Sequence, residues 1–119
     1  MPYEKRQIIE VPFNGGPHPA VIISSEEVYQ REGYYICVMI TSSEDQDEFS
    51  FPLNDGDTLK PMEKKSQVRL HLISSFEDKD IISNSHRNSL KVETFDGWSI
   101  ILQRRFLGWS FRFSLLASL

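Results

Sequence analysis

The run Tyr34–Thr41 (YYICVMIT) constrains this chain more than any other stretch. Aromatic and β-branched side chains lose rotamer freedom in a helix and pack well on a pleated surface. The run is therefore a strand, and its apolar continuity places it inside the protein. It emerges at Thr41-Ser42-Ser43 and passes into the acidic run Glu44–Glu48. Nowhere does the chain offer the roughly 20 consecutive apolar residues that span a bilayer. The rest of the sequence must supply neighbours for one buried strand.

Those neighbours are short. Gln7–Phe13 (QIIEVPF) reads as a first strand, closed by Pro12, and Asn14-Gly15-Gly16-Pro17 as a turn. Ala20–Ile23 is an unbroken apolar run that suits a strand buried on both faces. Ser24 or Ser25 caps a short helical turn through Gln30, with Glu26 and Glu27 near its positive end, and Gly33 ends it. Phe49–Leu53 alternates and carries Pro52, as an edge strand does. Asn54–Asp57 is a turn, and Leu59–Lys64 is a connector containing Pro61. Lys64–Ile73 (KKSQVRLHLI) alternates from Gln67 to Leu72. Val68, Leu70 and Leu72 then point one way and Gln67, Arg69 and His71 the other. Asp78-Lys79-Asp80 is a turn, Ile81-Ile82 a short strand or one helical turn, and Ser83–Ser89 a polar loop. Ser89 caps a helix to Phe106, with Val92, Phe95, Trp98, Leu102 and Phe106 three or four apart. The expected fold is α+β and mainly β, a small twisted antiparallel sheet or SH3-like partial barrel with a C-terminal helix. Residues 1–106 make a single domain, and the apolar tail 107–119 has no assignment.

A chain of 119 residues accommodates one core and little more. Its 13 basic and 17 acidic residues give a net charge of −4. That excludes a protein that coats nucleic acid non-specifically, which needs a large positive surface, but it leaves room for a local phosphate site. The lone Cys37 cannot form an internal disulfide and points to a reducing compartment. Met1–Glu10 lacks the apolar stretch of a signal peptide, so the expected location is the cytoplasm.

Several chemistries are poorly supplied. His18, His71 and His86 share no metal-ligand spacing, and no metal or other cofactor is expected. Gly15-Gly16 has no P-loop lysine after it. Cys37, in an apolar run, makes a poor nucleophile. What remains lies at strand ends and on strand faces. Arg69 and His71 are same-face neighbours roughly 6 to 7 Å apart. A fixed cation beside an imidazole can handle a phosphate. His18 sits in a Pro-His-Pro corner that restrains its backbone. Thr41 and Ser42 stand where the buried strand emerges. Lys60, Lys64 and Lys65 cluster with Arg69, while the acids concentrate in Glu44–Asp57. Each feature also has a plain structural reading, as a solvated face, a satisfied turn or an ordinary strand end.

The succession of Gly-Gly-Pro-His-Pro-Ala-Val-Ile-Ile-Ser, an apolar strand ending Ile-Thr-Ser-Ser, Ser-Gln-Val-Arg-Leu-His, Asp-Lys-Asp and a final helix resembles the MazF/PemK (Kid-like) toxin family. The similarity runs from about Gln7 to Phe106 and is strongest at Pro-Ala-Val-Ile-Ile-Ser and at the Thr-Ser strand end. The resemblance implies a homodimeric toxin of a type II toxin–antitoxin system, related in fold to CcdB, that cuts single-stranded RNA without a metal. It implies that Thr41 and Ser42 contact the scissile phosphate and that Arg69 stabilises the pentavalent phosphorus. His71 stands where relatives carry an acidic general base, and His18 where they carry the arginine of a Gly-x-Arg-Pro motif. The loop before that motif is shorter here than is usual in the family. Lys64, Lys65 and Gln67 are the expected substrate-binding companions. A cognate antitoxin is the implied partner, docking across Arg69, Lys64 and Lys65.

RNA carries its own nucleophile, the 2′-hydroxyl. Cleavage needs a group to take that proton, a group to protonate the leaving 5′-oxygen, and a cation on the phosphate. His71 as base, His18 as acid or phosphate ligand, and Arg69 as clamp fill those roles, with the two histidine roles interchangeable at this level. Two other classes stand beside this one. One is a CcdB-like toxin that binds DNA gyrase, with Trp98 and the aromatic tail as contact surface. The other is a fold relative whose catalysis has decayed.

Overall fold

Tyr34–Thr41 forms a strand with the bounds its composition dictates, and the sheet is assembled around it. The computed structural model describes residues 3–42 and 48–106, with only the backbone described at 83–87 and 106. Its regular elements are β1 (Gln7–Phe13), β2 (Gly16–Ile22), α1 (Glu26–Glu32), β3 (Tyr34–Thr41), β4 (Ser50–Leu53), β5 (Ser66–Glu77), β6 (Ser83–Ser89) and α2 (Val92–Ile101). The six strands form one sheet in the order β4-β5-β3-β2-β1-β6, with every pairing antiparallel. It curls into a half-barrel with the C-terminal helix against it, the mainly β architecture expected from the sequence.

β3 is central, which explains its apolar continuity. One row, Val38 and Ile40, joins Ile8, Val21, Val68 and Leu70 beneath Phe95 and Leu102 of the C-terminal helical segment. The other row, Tyr35, Cys37 and Met39, packs with Ile9, Ala20 and Phe76, and Tyr29 of α1 packs against it. A strand with both faces covered has no use for alternation.

Local chemistry sets several boundaries. Asn14 and Gly15 both take positive φ, 49° and 84°, and Phe13 pairs with Gly16. The hairpin is thus a two-residue turn of the kind Asn-Gly favours. Gly16 and Pro17, expected in the turn, already belong to β2. Gly33 ends α1 at φ 78°, its N–H donating to the Tyr29 carbonyl. Ser25 occupies the N-cap position without a side-chain cap bond, and the Ser24 hydroxyl instead accepts from the Ile36 N–H at 2.9 Å.

Four expectations need correction. Met39 pairs with Arg69 but Val38 with Ile73, so β5 bulges between them. Leu72 therefore packs with the second cluster, whereas Val68 and Leu70 belong to the first. Ser83–Ser89 is not a loop but edge strand β6, paired with β1. Backbone hydrogen bonds make an edge strand without apolar side chains. Ser89 consequently lies in that strand and caps nothing. α2 starts at Val92 behind Lys91, and Leu102–Phe106 continues it as a π-helical turn. Ile81 and Ile82 lie in neither helix nor strand. β4 is the edge strand that Pro52 implied. Among the described residues no helix is long and apolar enough to cross a membrane. The tail 107–119, residues 43–47 and the side chain of His86 lie outside the described residues.

Candidate functional site

The β2–β3 ladder begins at Ile22 and Cys37 and ends at Ala20 and Met39. Beyond it stands Pro19, which has no N–H to give to β3. The two strands part there, and a cleft of about 390 Å³ opens between them. His18, Thr41 and Ser42 form its sheet-side wall. Facing them is the connector Lys60–Lys64, with Glu10, Ser66 and Asn88 completing the lining.

His18 is half-buried. Its Nδ1–H donates to the Gly16 carbonyl at 3.4 Å, and the ring meets Phe13 edge-on at 5.9 Å between centroids. With Nδ1 so engaged, Nε2 is the nitrogen left to exchange a proton. Thr41 pairs directly with Gln67 on β5. Arg69, two residues along β5, is then its diagonal neighbour on the same face, roughly 7 to 8 Å away.

Arg69 and His71 do form a pair. Arg69 Nη2 donates to His71 Nε2 at 3.4 Å, and the His71 ring lies 4.7 Å from that of Phe49. This hydrogen bond is long, and it requires an unprotonated Nε2. Arg69 is half-buried and His71 exposed. Cys37 is fully buried at 0% exposure, and burial pushes its thiol up to about 12. A thiol that stays protonated at neutral pH is no nucleophile. Among the described residues no three His, Cys, Asp or Glu side chains gather as a metal site would require.

Residues 4–99 match the PemK-like, MazF-like toxins of type II toxin–antitoxin systems. The chain belongs to that family. No curated protein matches it in sequence. Solved structures match it in fold. An endoribonuclease in complex with its cognate antitoxin, from a mycobacterial species, superposes with a TM-score of 0.73 at 14% identity, covering 92% of this chain and 98% of that one. A second mycobacterial endoribonuclease gives 0.72 at 13% identity, covering 92% and 94%. A MazE–MazF structure from Deinococcus radiodurans gives 0.68 at 16% identity, covering 91% and 98%.

In this PemK-like toxin the anticipated site residues form two groups, with Gln67 and Lys65 outside them. His18, Thr41, Ser42 and Lys64 share the cleft. Arg69 and His71 form the neighbouring pair on β5. Gln67, 4% exposed, lies buried between the two groups, while Lys65 borders an adjoining depression with Leu53, Asn54 and Asp55 that shares Met62 and Lys64 with the cleft. Lining residues that carried no sequence signal are Glu10, Met62, Glu63 and Asn88. Glu10 sits in an ordinary strand pattern. Asn88 lies 28 residues from the connector segment it holds, with Lys60 N–H donating to its Oδ1 at 2.9 Å.

Proposed function

We propose that this toxin is an endoribonuclease that cuts single-stranded RNA by attack of the 2′-hydroxyl on the adjacent phosphate, with no metal ion taking part. The observation that carries the proposal is the gathering of His18, Thr41 and Ser42 in one cleft, next to the Arg69–His71 pair. The scissile phosphate sits between them. Thr41 and Ser42 position its oxygens, and the Arg69 guanidinium stabilises the charge that grows on phosphorus. His71, on leaving its long contact with Arg69, takes the 2′-hydroxyl proton at Nε2. His18 delivers a proton from Nε2 to the leaving 5′-oxygen, its Nδ1–H steadied by the Gly16 carbonyl. β2 and β5 flank β3; His18 lies two residues beyond Ala20, level with Thr41, and His71 lies beyond Arg69 on β5, further along from Gln67, the partner of Thr41, so the two histidine backbones are roughly 15 Å apart.

Family membership supports a cognate antitoxin as partner, and the mycobacterial endoribonuclease is described in complex with one. The antitoxin covers the cleft and the exposed Lys64 and Lys65. The toxin acts as a cytoplasmic homodimer.

The test is incubation of the purified chain with a long single-stranded RNA in the presence of EDTA. Discrete cuts are expected, lost in Arg69→Ala and blocked at any site carrying a single 2′-deoxynucleotide. Cleavage that persists at a 2′-deoxy position refutes the mechanism. Intact RNA with impaired gyrase supercoiling replaces it with the protein-binding toxin.

A further inference from the structure

The wall of the cleft opposite His18 and Thr41 is held more firmly than a connector requires. Asn88 is 4% exposed, and its amide is committed to that wall. Oδ1 accepts from the N–H groups of Lys60 and Ser89, both at 2.9 Å. Nδ2 donates to the Lys60 carbonyl at 2.8 Å and contacts Met62 Sδ at 3.7 Å. The Thr58 hydroxyl donates to the same Lys60 carbonyl at 2.5 Å, the Leu59 N–H donates to Ser89 at 3.0 Å, and Thr58 bridges to Leu90. At the far end, the Ser66 hydroxyl donates to the Lys64 carbonyl at 2.8 Å. A segment with no regular structure is thereby fixed at both ends.

What it presents is mixed. Pro61 and Met62 give an apolar surface, Lys60 and Lys64 give donors, and Glu63 with Glu10 gives acceptors. A pure phosphate site has no use for two carboxylates, which repel the ligand. An unstacked nucleobase uses all three kinds of group: a flat apolar face, and an edge bearing both donors and acceptors.

We propose that this cleft is the base-selecting pocket of the toxin, that it takes a guanine next to the cut, and that Asn88 is the positioning residue that holds its Lys60–Lys64 wall. Guanine is the best match because its Watson–Crick edge offers two adjacent N–H donors to one carboxylate and a carbonyl oxygen to one lysine. The proposal rests on the RNA-cleaving function above.

The experiment sequences the cut ends from a randomised RNA treated with the wild type, Glu63→Gln, Glu10→Gln and Asn88→Ala. It is paired with binding of a 2′-O-methyl RNA oligonucleotide in which guanine is replaced by inosine. The wild type is expected to place guanine at one fixed position beside the cut. One or both Gln variants should relax that preference by about fivefold, the worth of one hydrogen bond. Asn88→Ala should broaden the pattern at temperatures where circular dichroism shows it folded, which a purely structural role would not do. Cuts with the same sequence pattern in all three variants overturn the proposal and leave the ribonuclease standing. If no RNA is cut, the ribonuclease reading falls and binding decides the pocket. Weaker binding of the inosine oligonucleotide by the wild type, with no such difference in Glu63→Gln, retains it. Equal binding of both oligonucleotides by the wild type rejects it.

Discussion

At its N-terminal end β3 presents Tyr35, and at its C-terminal end Thr41. Tyr35 donates from its hydroxyl to Asp78 Oδ1 at 2.8 Å, and Tyr29 of α1 donates to the other carboxylate oxygen. The two rings stack at 4.8 Å, with Tyr3 edge-on to Tyr35 at 5.8 Å. Burial, then the Asp78 hydrogen bond, raises the Tyr35 phenol above its ordinary range. For Tyr29 the Asp78 hydrogen bond is the main cause of a shift in the same direction. Here the polar groups satisfy one another and hold α1 to the sheet. Six residues along, the same strand ends in a cleft lined by hydroxyls, an imidazole and lysines. On the proposed function one end serves stability and the other a ligand, and the separation should let each be altered alone.

The sharpest test of that separation is Arg69→Ala. Loss of one preorganised donor on a developing charge costs about 100- to 1,000-fold in rate. RNA cleavage should fall by that factor while the circular dichroism spectrum stays native. A variant that unfolds instead would make Arg69 part of the stable half.

Asp78→Ala addresses the other end. It strands the buried Tyr35 hydroxyl, and a hydrogen bond to a charged acceptor contributes about 1.5–3 kcal/mol. Urea denaturation should show a loss of that order, with RNA cleavage at low temperature unchanged. Altered cleavage would mean that α1 and the cleft are coupled.

Sequence alone conveyed the stable half better than the site. The strand bounds of β3 follow from its own side chains, and so does the Asn-Gly hairpin. β6 does not, because Ser83–Ser89 is a strand only by virtue of backbone pairing with β1. The β5 bulge arises from how two strands meet, and alternation in β5 alone carries no trace of it. The same holds for the cleft. His18, Thr41 and Arg69 could be singled out as residue types in suggestive places. Asn88 acts on Lys60 across 28 residues, and no local pattern encodes that distance.

Alkaline titration probes the interior beneath both ends. Cys37 ionises near 9 when exposed and at about 12 when buried here. Between those values the unfolded chain has released the proton and the folded chain has not, so folding stability falls as pH rises. Stability below pH 9 is unaffected. The slope contributed by one such group reaches about 1.4 kcal/mol per pH unit, and Tyr35 adds to it with the same sign. Cys37→Ala should flatten the fall between pH 9 and 12, measured as the pH dependence of the denaturation midpoint. A slope identical to that of the wild type would mean that the thiol reaches solvent.

The smallest effect expected is a gain. Gly97 lies within α2, is exposed, and has open space where a Cβ would stand. Its φ is not among the positive ones. Alanine there avoids the entropy glycine loses on entering a helix, worth about 0.5–1 kcal/mol. Gly97→Ala should raise the melting temperature by a few degrees. α2 covers the first core cluster through Phe95 and contributes no residue to the cleft. The stabilised variant should therefore cut RNA at the wild-type rate. If it is more stable yet slower, loosening of α2 is part of turnover, and the cleft depends on a helix that does not touch it.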